Sequence, residues 1–354
     1  MDKIIQNDFT YGEHDDHFFN QGFNAYCRPD IQQSMLEDEV RTCFYRDAIY
    51  NNKHLFEDKV VMDFGCGSGI LSMFAAKAGA KKVFGVEASD LAKTTKKNVK
   101  KNGLDHIITI LEGKVEEIEL PGEDKVDILL SEVMGVGLIH EGTLQSLVIA
   151  RDRFLKPGGI LFPDKNTLYI CAIEDKKMHD KHVSYWKNVN GFEMKAMAEA
   201  SKAYAWHHPI GPQQPVTDYY TLREYDWNTC RLDEIFFTSP FKLKCNRKDT
   251  VHSLAVFFDC EFSACSTKTV LSTGPEAPMT HWMQLTCHLD EPVEVDKGEE
   301  LEGTFTAKAY NGRDLEFDID MDFKGTLGST NLSREFYYYW GMSSQMPYKK
   351  DEEI

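Results

Sequence analysis

The sequence predicts a two-part fold: an α/β domain on a mostly parallel sheet, then an antiparallel β domain, a barrel or sandwich, that carries a helical insertion. Three observations carry that expectation. Residues 60–69 read Val-Val-Met-Asp-Phe-Gly-Cys-Gly-Ser-Gly, an apolar run that breaks into alternate glycines before a helical stretch. Apolar runs and helical stretches then alternate as far as Phe162, the pattern of strands joined by crossover helices. From Asp164 to Gly328 the composition shifts to Thr, Val, Phe and Tyr with turn residues between, which reads as short antiparallel strands.

Taken in order, Ile31 to Asn51 has helical spacing, with Met35, Leu36, Val40, Phe44 and Ile49 set for one face. Strand 1 starts at Val60 and ends at Asp63. The helix Ile70–Gly79 leads to strand 2 at Val83–Glu87, and a lysine-rich helix over about 90–101 leads to strand 3 at Ile107–Leu111. Strand 4 is Val126–Leu130. A helix of about 143–155 stops before Pro157-Gly158-Gly159, and Ile160–Phe162 is strand 5. Within the β region, Glu174 to Tyr204 is helical in composition and holds Met178, Trp186, Phe192, Met194 and Met197. Such a segment suits contact with another subunit, or packs as a helix on its own domain. The run Tyr337-Tyr338-Tyr339-Trp340 needs an interface to cover it.

The chain has 354 residues, 42% hydrophobic and 27% charged, the balance of a soluble globular protein with room for two domains. No run approaches the roughly 18 apolar residues a membrane helix needs, and the first ten residues lack a secretion-signal pattern. Nine cysteines, an odd count without a Cys-x-x-Cys pair, read as reduced thiols of a cytoplasmic or nuclear protein. The formal charge of −17 argues against direct nucleic-acid binding and favours a cationic partner. The acidic cluster His14, Asp15, Asp16 and His17 reads as tail, and no metal site is expected.

Two segments carry chemistry. Gly65, Gly67 and Gly69 have the spacing G-x-G-x-G, without the extra residue of a dinucleotide fingerprint or the Lys-Ser/Thr of a P-loop. Glu87 follows at the tip of strand 2, where a carboxylate accepts from both hydroxyls of a ribose. Together they point to an adenosyl ligand without phosphates, with S-adenosylmethionine the leading case. After strand 4, Glu132 and Glu141 bracket the glycine-punctuated segment Val-Met-Gly-Val-Gly-Leu-Ile-His. Two carboxylates suit a guanidinium, whose planar fork of donors matches them. The other reading makes Glu141 a helix-start carboxylate favoured by the following helix. Thr280-His281-Trp282 follows a turn-rich loop, where a histidine serves either chemistry or structure.

From about Phe23 to Leu327 the chain resembles the type I protein arginine methyltransferases. The resemblance rests on Met-Leu-x-Asp-Glu-Val-Arg-Thr at 35–42, Asp-x-Gly-x-Gly-x-Gly at 63–69 and Gly-Lys-Val-Glu-Glu at 113–117. It continues with Ser-Glu-x-Met-Gly at 131–135 plus Glu141, Phe-Pro-Asp at 162–164 and Thr-His-Trp at 280–282. It implies a Rossmann-like methyltransferase core, a β-barrel and a dimerisation arm at about 176–204. The implied layout is 1–30, a tail and the start of a cofactor lid; 31–163, a helix and the cofactor-binding core; 164–332, the barrel; and 333–354, a tail.

The resemblance also implies roles. Asp63, Gly65 and Gly67 would line the cofactor, Arg41 would pair with its carboxylate, Glu87 would hold the ribose, and Val115 with Glu116 would read the adenine. Glu132 and Glu141 would bind the guanidinium, and His281 paired with Asp38 would take the proton. Tyr26, Met35, Met134 and Trp282 would shape the substrate pocket, the methionines directing a second methyl to the same nitrogen. The implied products are S-adenosylhomocysteine with monomethyl and asymmetric dimethylarginine, on arginine/glycine-rich proteins such as RNA-binding proteins or histones. The chain departs from the family pattern at Gly22, Arg28, Val133 and Val136, residues of the lid and pocket. Those departures, with the aromatic run, raise the expectation of a paralogous partner subunit in place of a homodimer. Two other readings are a regulatory subunit and a small-molecule methyltransferase.

Overall fold

The computed structural model describes residues 26–310 and 314–338. Gly22, the His14–His17 cluster, Tyr339 and Trp340 lie outside them. The chain divides into two compact units: residues 1–132, 149–162 and 264–269, and residues 133–148, 163–263 and 270–354.

In the first unit, α1 (Pro29–Glu37) and α2 (Glu39–Asn51) precede a short α3 (Lys53–Phe56). The sequence suggests one helix over Ile31–Asn51; the structure breaks it at Asp38. The Asp38 carboxylate accepts from the backbone N–H of Arg41 at 3.0 Å, so it caps α2. The carbonyl of Met35, freed at the end of α1, takes the Thr42 hydroxyl at 3.2 Å instead.

The sheet follows: β1 (Val60–Phe64), β2 (Lys82–Glu87), β3 (Ile108–Glu112), β4 (Val126–Ser131) and β5 (Leu155–Phe162), in the order β3-β2-β1-β4-β5. All its pairings are parallel. Helices α4 (Ile70–Lys77) and α5 (Leu91–Lys101) make the crossovers from β1 to β2 and from β2 to β3. Every residue of β1 is buried, which is why that run is continuously apolar but for Asp63. The chain winds outward from β1 to β3, then returns to β4 beside β1. That reversal is where α/β sheets bind ligands, at the carboxyl ends of their strands. Helix α6 (Thr143–Phe154) straddles the division between the units. Pro157-Gly158-Gly159, expected to end a helix, lies inside β5.

The second unit holds two antiparallel sheets. One orders β7-β12-β10-β6-β8, with β11 (Thr269–Ser272) beside β10; the other orders β15-β14-β13-β9. The first sheet is built from β6 (Lys165–Ile173), β7 (Trp206–His208), β8 (Tyr220–Asp226), β10 (Asp249–Phe262) and β12 (Gln284–Val295). The second is built from β9 (Phe237–Lys244), β13 (Glu300–Tyr310), β14 (Asp314–Lys324) and β15 (Ser329–Tyr338). A parallel Rossmann-like sheet followed by antiparallel β sheets is the fold class the sequence implied.

The helical insertion consists of α7 (Lys176–His182), a 3-10 turn (Ser184–Lys187) and α8 (Lys195–Lys202). Tyr185, Phe192, Met194 and Met197 project from it into solvent, Phe192 with 69% of its surface exposed. The tail expected from Ser333 is corrected: Ser333 to Tyr338 belong to β15, paired residue by residue with β14. Leu332, Phe336 and Tyr338 alternate inward and are buried, so the chain itself covers Tyr338. All nine cysteines are free thiols, seven of them buried. Among the described residues no helix is long and apolar enough to cross a membrane.

Candidate active site

The glycine turn leaves β1 at Phe64 with Gly65, Gly67 and Gly69 all in the left-handed region, at φ 68°, 50° and 84°. Only glycine adopts that conformation without cost. The three are not equivalent. A Cβ on Gly69 would lie 2.8 Å from Thr95 Cγ2, whereas one on Gly65 would meet nothing within 4 Å. Gly69 makes room for packing on α5; Gly65 faces open space.

Glu87 ends β2 beside that turn. Its Oε2 accepts the Gly67 N–H at 2.9 Å, and its Oε1 accepts the Ser89 N–H at 2.9 Å and the Ser89 hydroxyl at 2.6 Å. Thr95 donates to the Gly67 carbonyl at 2.5 Å. Sequence reasoning missed Ser89 and Thr95, although a hydroxyl two residues past the strand-end carboxylate was a readable sign. Asp63, one residue from the end of β1, is fully buried and accepts from Ser72 Oγ at 2.6 Å. Burial raises its carboxyl from the ordinary range to about 7; the Ser72 bond opposes the rise and the Glu87 charge adds to it. Val115 is buried and Glu116 exposed, and Arg153 Nη1 donates to both backbone carbonyls, to Val115 at 3.2 Å.

Arg41 and Glu132 meet. Arg41 Nε and Nη2 donate to Glu132 Oε2 at 2.9 and 2.6 Å, with both side chains under 10% exposed. Arg41 also reaches the Met35 carbonyl, at 3.4 Å. One turn along α2, fully buried Tyr45 donates to the Ser131 carbonyl at 2.9 Å. The helix is thereby fixed to the end of β4 at two points. The resemblance implies a cofactor carboxylate for Arg41 and a substrate guanidinium for Glu132; the structure pairs the two with each other. Arg28 pairs with its neighbour Asp30 in solvent at 2.6 Å, and Tyr26 accepts from Gln32 Nε2 through its carbonyl at 3.1 Å.

These residues fit S-adenosylmethionine. The strand ends carry Asp63, Glu87 and Glu132 against one arginine, a set that repels a diphosphate and suits a sulfonium cation. Glu87 stands at the tip of β2, where a carboxylate can accept from the hydroxyls of a ribose, and Gly65 leaves the space a side chain would fill.

In the second unit, residues 133–142 form a tight loop. Gly135 and Leu138 exchange backbone hydrogen bonds at 3.1 and 2.9 Å, and Thr143 Oγ1 closes the loop onto the Val133 carbonyl at 2.8 Å. A Cβ on Gly135 would stand 2.1 Å from the His140 carbonyl oxygen. Leu138 and Glu141 sit at φ 70° and 86°, a conformation that costs side-chain-bearing residues about 1–3 kcal/mol. Trp282, expected in the substrate pocket, is buried and donates from Nε1 to the Met134 carbonyl at 2.6 Å. Its indole fastens the loop to the β domain. The His281 ring lies over the Trp282 ring at 4.1 Å.

Comparison with known proteins places each part. Residues 164–326 match the family model described as the arginine methyltransferase oligomerization subdomain. Residues 48–162 match the model of ribosomal protein L11 methyltransferase. Over 316 residues the chain is 45% identical to protein arginine N-methyltransferase 8-B of Danio rerio, covering 89% of this chain and 75% of that one. Protein arginine N-methyltransferase 1 of Caenorhabditis elegans is 45% identical over 313 residues, 87% of this chain and 90% of that one. Among solved structures, the Trypanosoma brucei PRMT1 enzyme–prozyme heterotetrameric complex with AdoHcy superposes with a TM-score of 0.85 at 39% identity, over 89% of this chain and 100% of that one. Protein arginine methyltransferase 10 of Arabidopsis thaliana, in an open conformation, gives 0.80 at 30% identity, over 89% and 99%.

Proposed function

The chain belongs to the protein arginine N-methyltransferase family, and from that premise we propose that it moves methyl groups from S-adenosylmethionine to arginine guanidinium nitrogens of proteins, giving monomethyl and then asymmetric dimethylarginine. The observation that carries this reading is the Arg41–Glu132 pair. The nearly buried carboxylate just past β4 already receives a guanidinium, through two N–H donors to one of its oxygens, the charge-assisted pairing a substrate arginine would also make.

The residues divide the work as follows. Asp63, Gly65, Gly67, Glu87, Val115 and Glu116 hold the cofactor, and Arg41 is the cation for its carboxylate. Bound S-adenosylmethionine supplies a methyl group activated by its positive sulfur. Glu132 and Glu141 take the substrate guanidinium. Its lone pairs are delocalised and its pKa exceeds about 12, so it is a poor nucleophile. Two carboxylates draw positive charge toward some of its nitrogens and leave electron density on another. Holding the reacting atoms in line supplies roughly 7–11 kcal/mol. His281 is the group that would accept the proton leaving the methylated nitrogen. Met35 and Met134 narrow the pocket around the acceptor nitrogen.

The acidic chain suits arginine/glycine-rich substrates such as RNA-binding proteins or histones, and its free thiols suit a cytoplasmic or nuclear setting. For assembly, the exposed apolar side chains of the arm favour a partner copy or a paralogous subunit. The T. brucei relative assembles as an enzyme–prozyme heterotetramer, and the departures at Arg28, Val133 and Val136 favour the paralogue.

Mass spectrometry of an arginine-glycine-rich peptide incubated with labelled S-adenosylmethionine tests the reading, with the chain alone and with any subunit that co-purifies from cells. Asymmetric dimethylarginine supports it. Symmetric dimethylarginine, or methylation of free metabolites but no peptide, refutes it.

A further inference from the structure

Glu141 is held in a left-handed backbone conformation, and something must keep it there. The loop's own hydrogen bonds account for Leu138, which is fully buried and paired with Gly135. Glu141 follows His140, a buried residue whose Nδ1 is 3.9 Å from Glu141 Oε1. The His140 ring meets the ring of Tyr338 edge-on, with centroids 4.8 Å apart at 78°. Tyr338 is 3% exposed, and its hydroxyl lies 3.2 Å from His207 Nδ1 on β7. A second edge-on contact, at 5.5 Å, joins the same two rings.

The neighbour of Tyr338 is tied to the end of the arm. Tyr337 N–H donates to the Ala203 carbonyl and the Ala205 N–H donates to the Tyr337 carbonyl, both at 2.9 Å. Ala203 and Ala205 directly follow α8. One strand therefore holds the arm's root by its backbone and the loop's histidine by its side chain. All of these residues lie in the second unit. We propose that Tyr338 and His140 are positioning residues for Glu141, and that β15 links the set of the arm to the carboxylate that receives the substrate. Burial and the nearby Glu141 charge together raise the Tyr338 phenol above its usual range, so the phenol stays protonated and neutral beside Glu141. The proposal rests on the reading of Glu141 as a guanidinium ligand.

The test compares Tyr338→Leu, His140→Leu, the double variant and Tyr338→Phe, in the native assembly, with Glu141→Gln run beside them. Each leucine variant is expected to lower kcat on an arginine peptide about tenfold. The double variant should do no worse than either one, because the two side chains act through one contact. Affinity for S-adenosylhomocysteine and the mass of the assembly should be unchanged. Tyr338→Phe keeps the ring and should stay within about twofold of the parent, since the ring contact and not the hydroxyl carries the position. Unchanged kcat in Tyr338→Leu overturns the proposal. So do effects that multiply in the double variant, or a parallel loss of cofactor affinity, which would mark the contact as general packing. If Glu141→Gln stays active, the reading of Glu141 falls. If Glu141→Gln is inactive while Tyr338→Leu is normal, only this inference falls.

Discussion

The glycine turn at 65–69 and the loop at 133–142 both place functional groups at the end of a strand, but they hold their cost in different forms. The turn is conformationally relaxed: each of its left-handed positions is a glycine. Its burden is electrostatic, concentrated in buried Asp63, whose carboxyl burial raises to about 7. The loop carries no comparable buried acid among its own residues. Its burden is backbone strain at Leu138 and Glu141, offset by packing around Gly135, Trp282 and His140. On the proposed reading, the turn that would hold the cofactor rests on backbone shape, while the loop that would receive the substrate rests on tertiary support.

Substitutions can separate the two. Gly135→Ala forces a methyl group against the His140 carbonyl, 2.1 Å away, so the loop must open. Misplacement on that scale costs about 100-fold in kcat, while S-adenosylhomocysteine affinity, read by calorimetry, should hold. A matching drop in affinity would show that loop and turn are not independent.

Asp63→Asn probes the electrostatic cost. A raised folded-state pKa means Asp63 adds stability below the unfolded value near 4, and that contribution is lost as pH rises through about 7. The parent should therefore lose roughly 2 kcal/mol of stability between pH 5 and pH 8 that the asparagine variant does not lose. Denaturant melts at the two pH values check this, and equal slopes would remove Asp63 as the cause.

Gly65→Ala should do least. The space beside it is open, so only the left-handed backbone is penalised, by about 1–2 kcal/mol. Cofactor affinity should fall about tenfold with kcat at saturation largely kept. A collapse of kcat would assign Gly65 to the chemistry and not to binding.

Much of this was legible in the sequence because it depended on local pattern. The strand–glycine–helix run at 60–79 and Glu87 gave the turn, and the spacing of Glu132 and Glu141 gave the loop. What was not legible depended on contacts between distant segments. The Arg41–Glu132 pair joins residues 91 positions apart. Arg41 and Tyr45 are four apart on α2, so their common face was readable, but not what it met. The break at Asp38 was missed because the apolar spacing continues through it, and only the capping hydrogen bond shows the helix restarting. The tail expected over 333–354 conceals the end of strand β15, whose inward series Arg334 interrupts. In the structure Arg334 reaches Asp290 on β12 and flanks the Phe336 ring, so a charged residue occupies an otherwise apolar row.

The central claim is that Glu132 serves the guanidinium and the glycine turn serves the cofactor. Glu132→Gln, assayed for peptide methylation and for S-adenosylhomocysteine binding on the same preparation, tests it most directly. The account predicts a loss of methylation of about 100-fold or more with cofactor affinity nearly intact. Near-normal methylation, or loss of cofactor binding in step with activity, would contradict it.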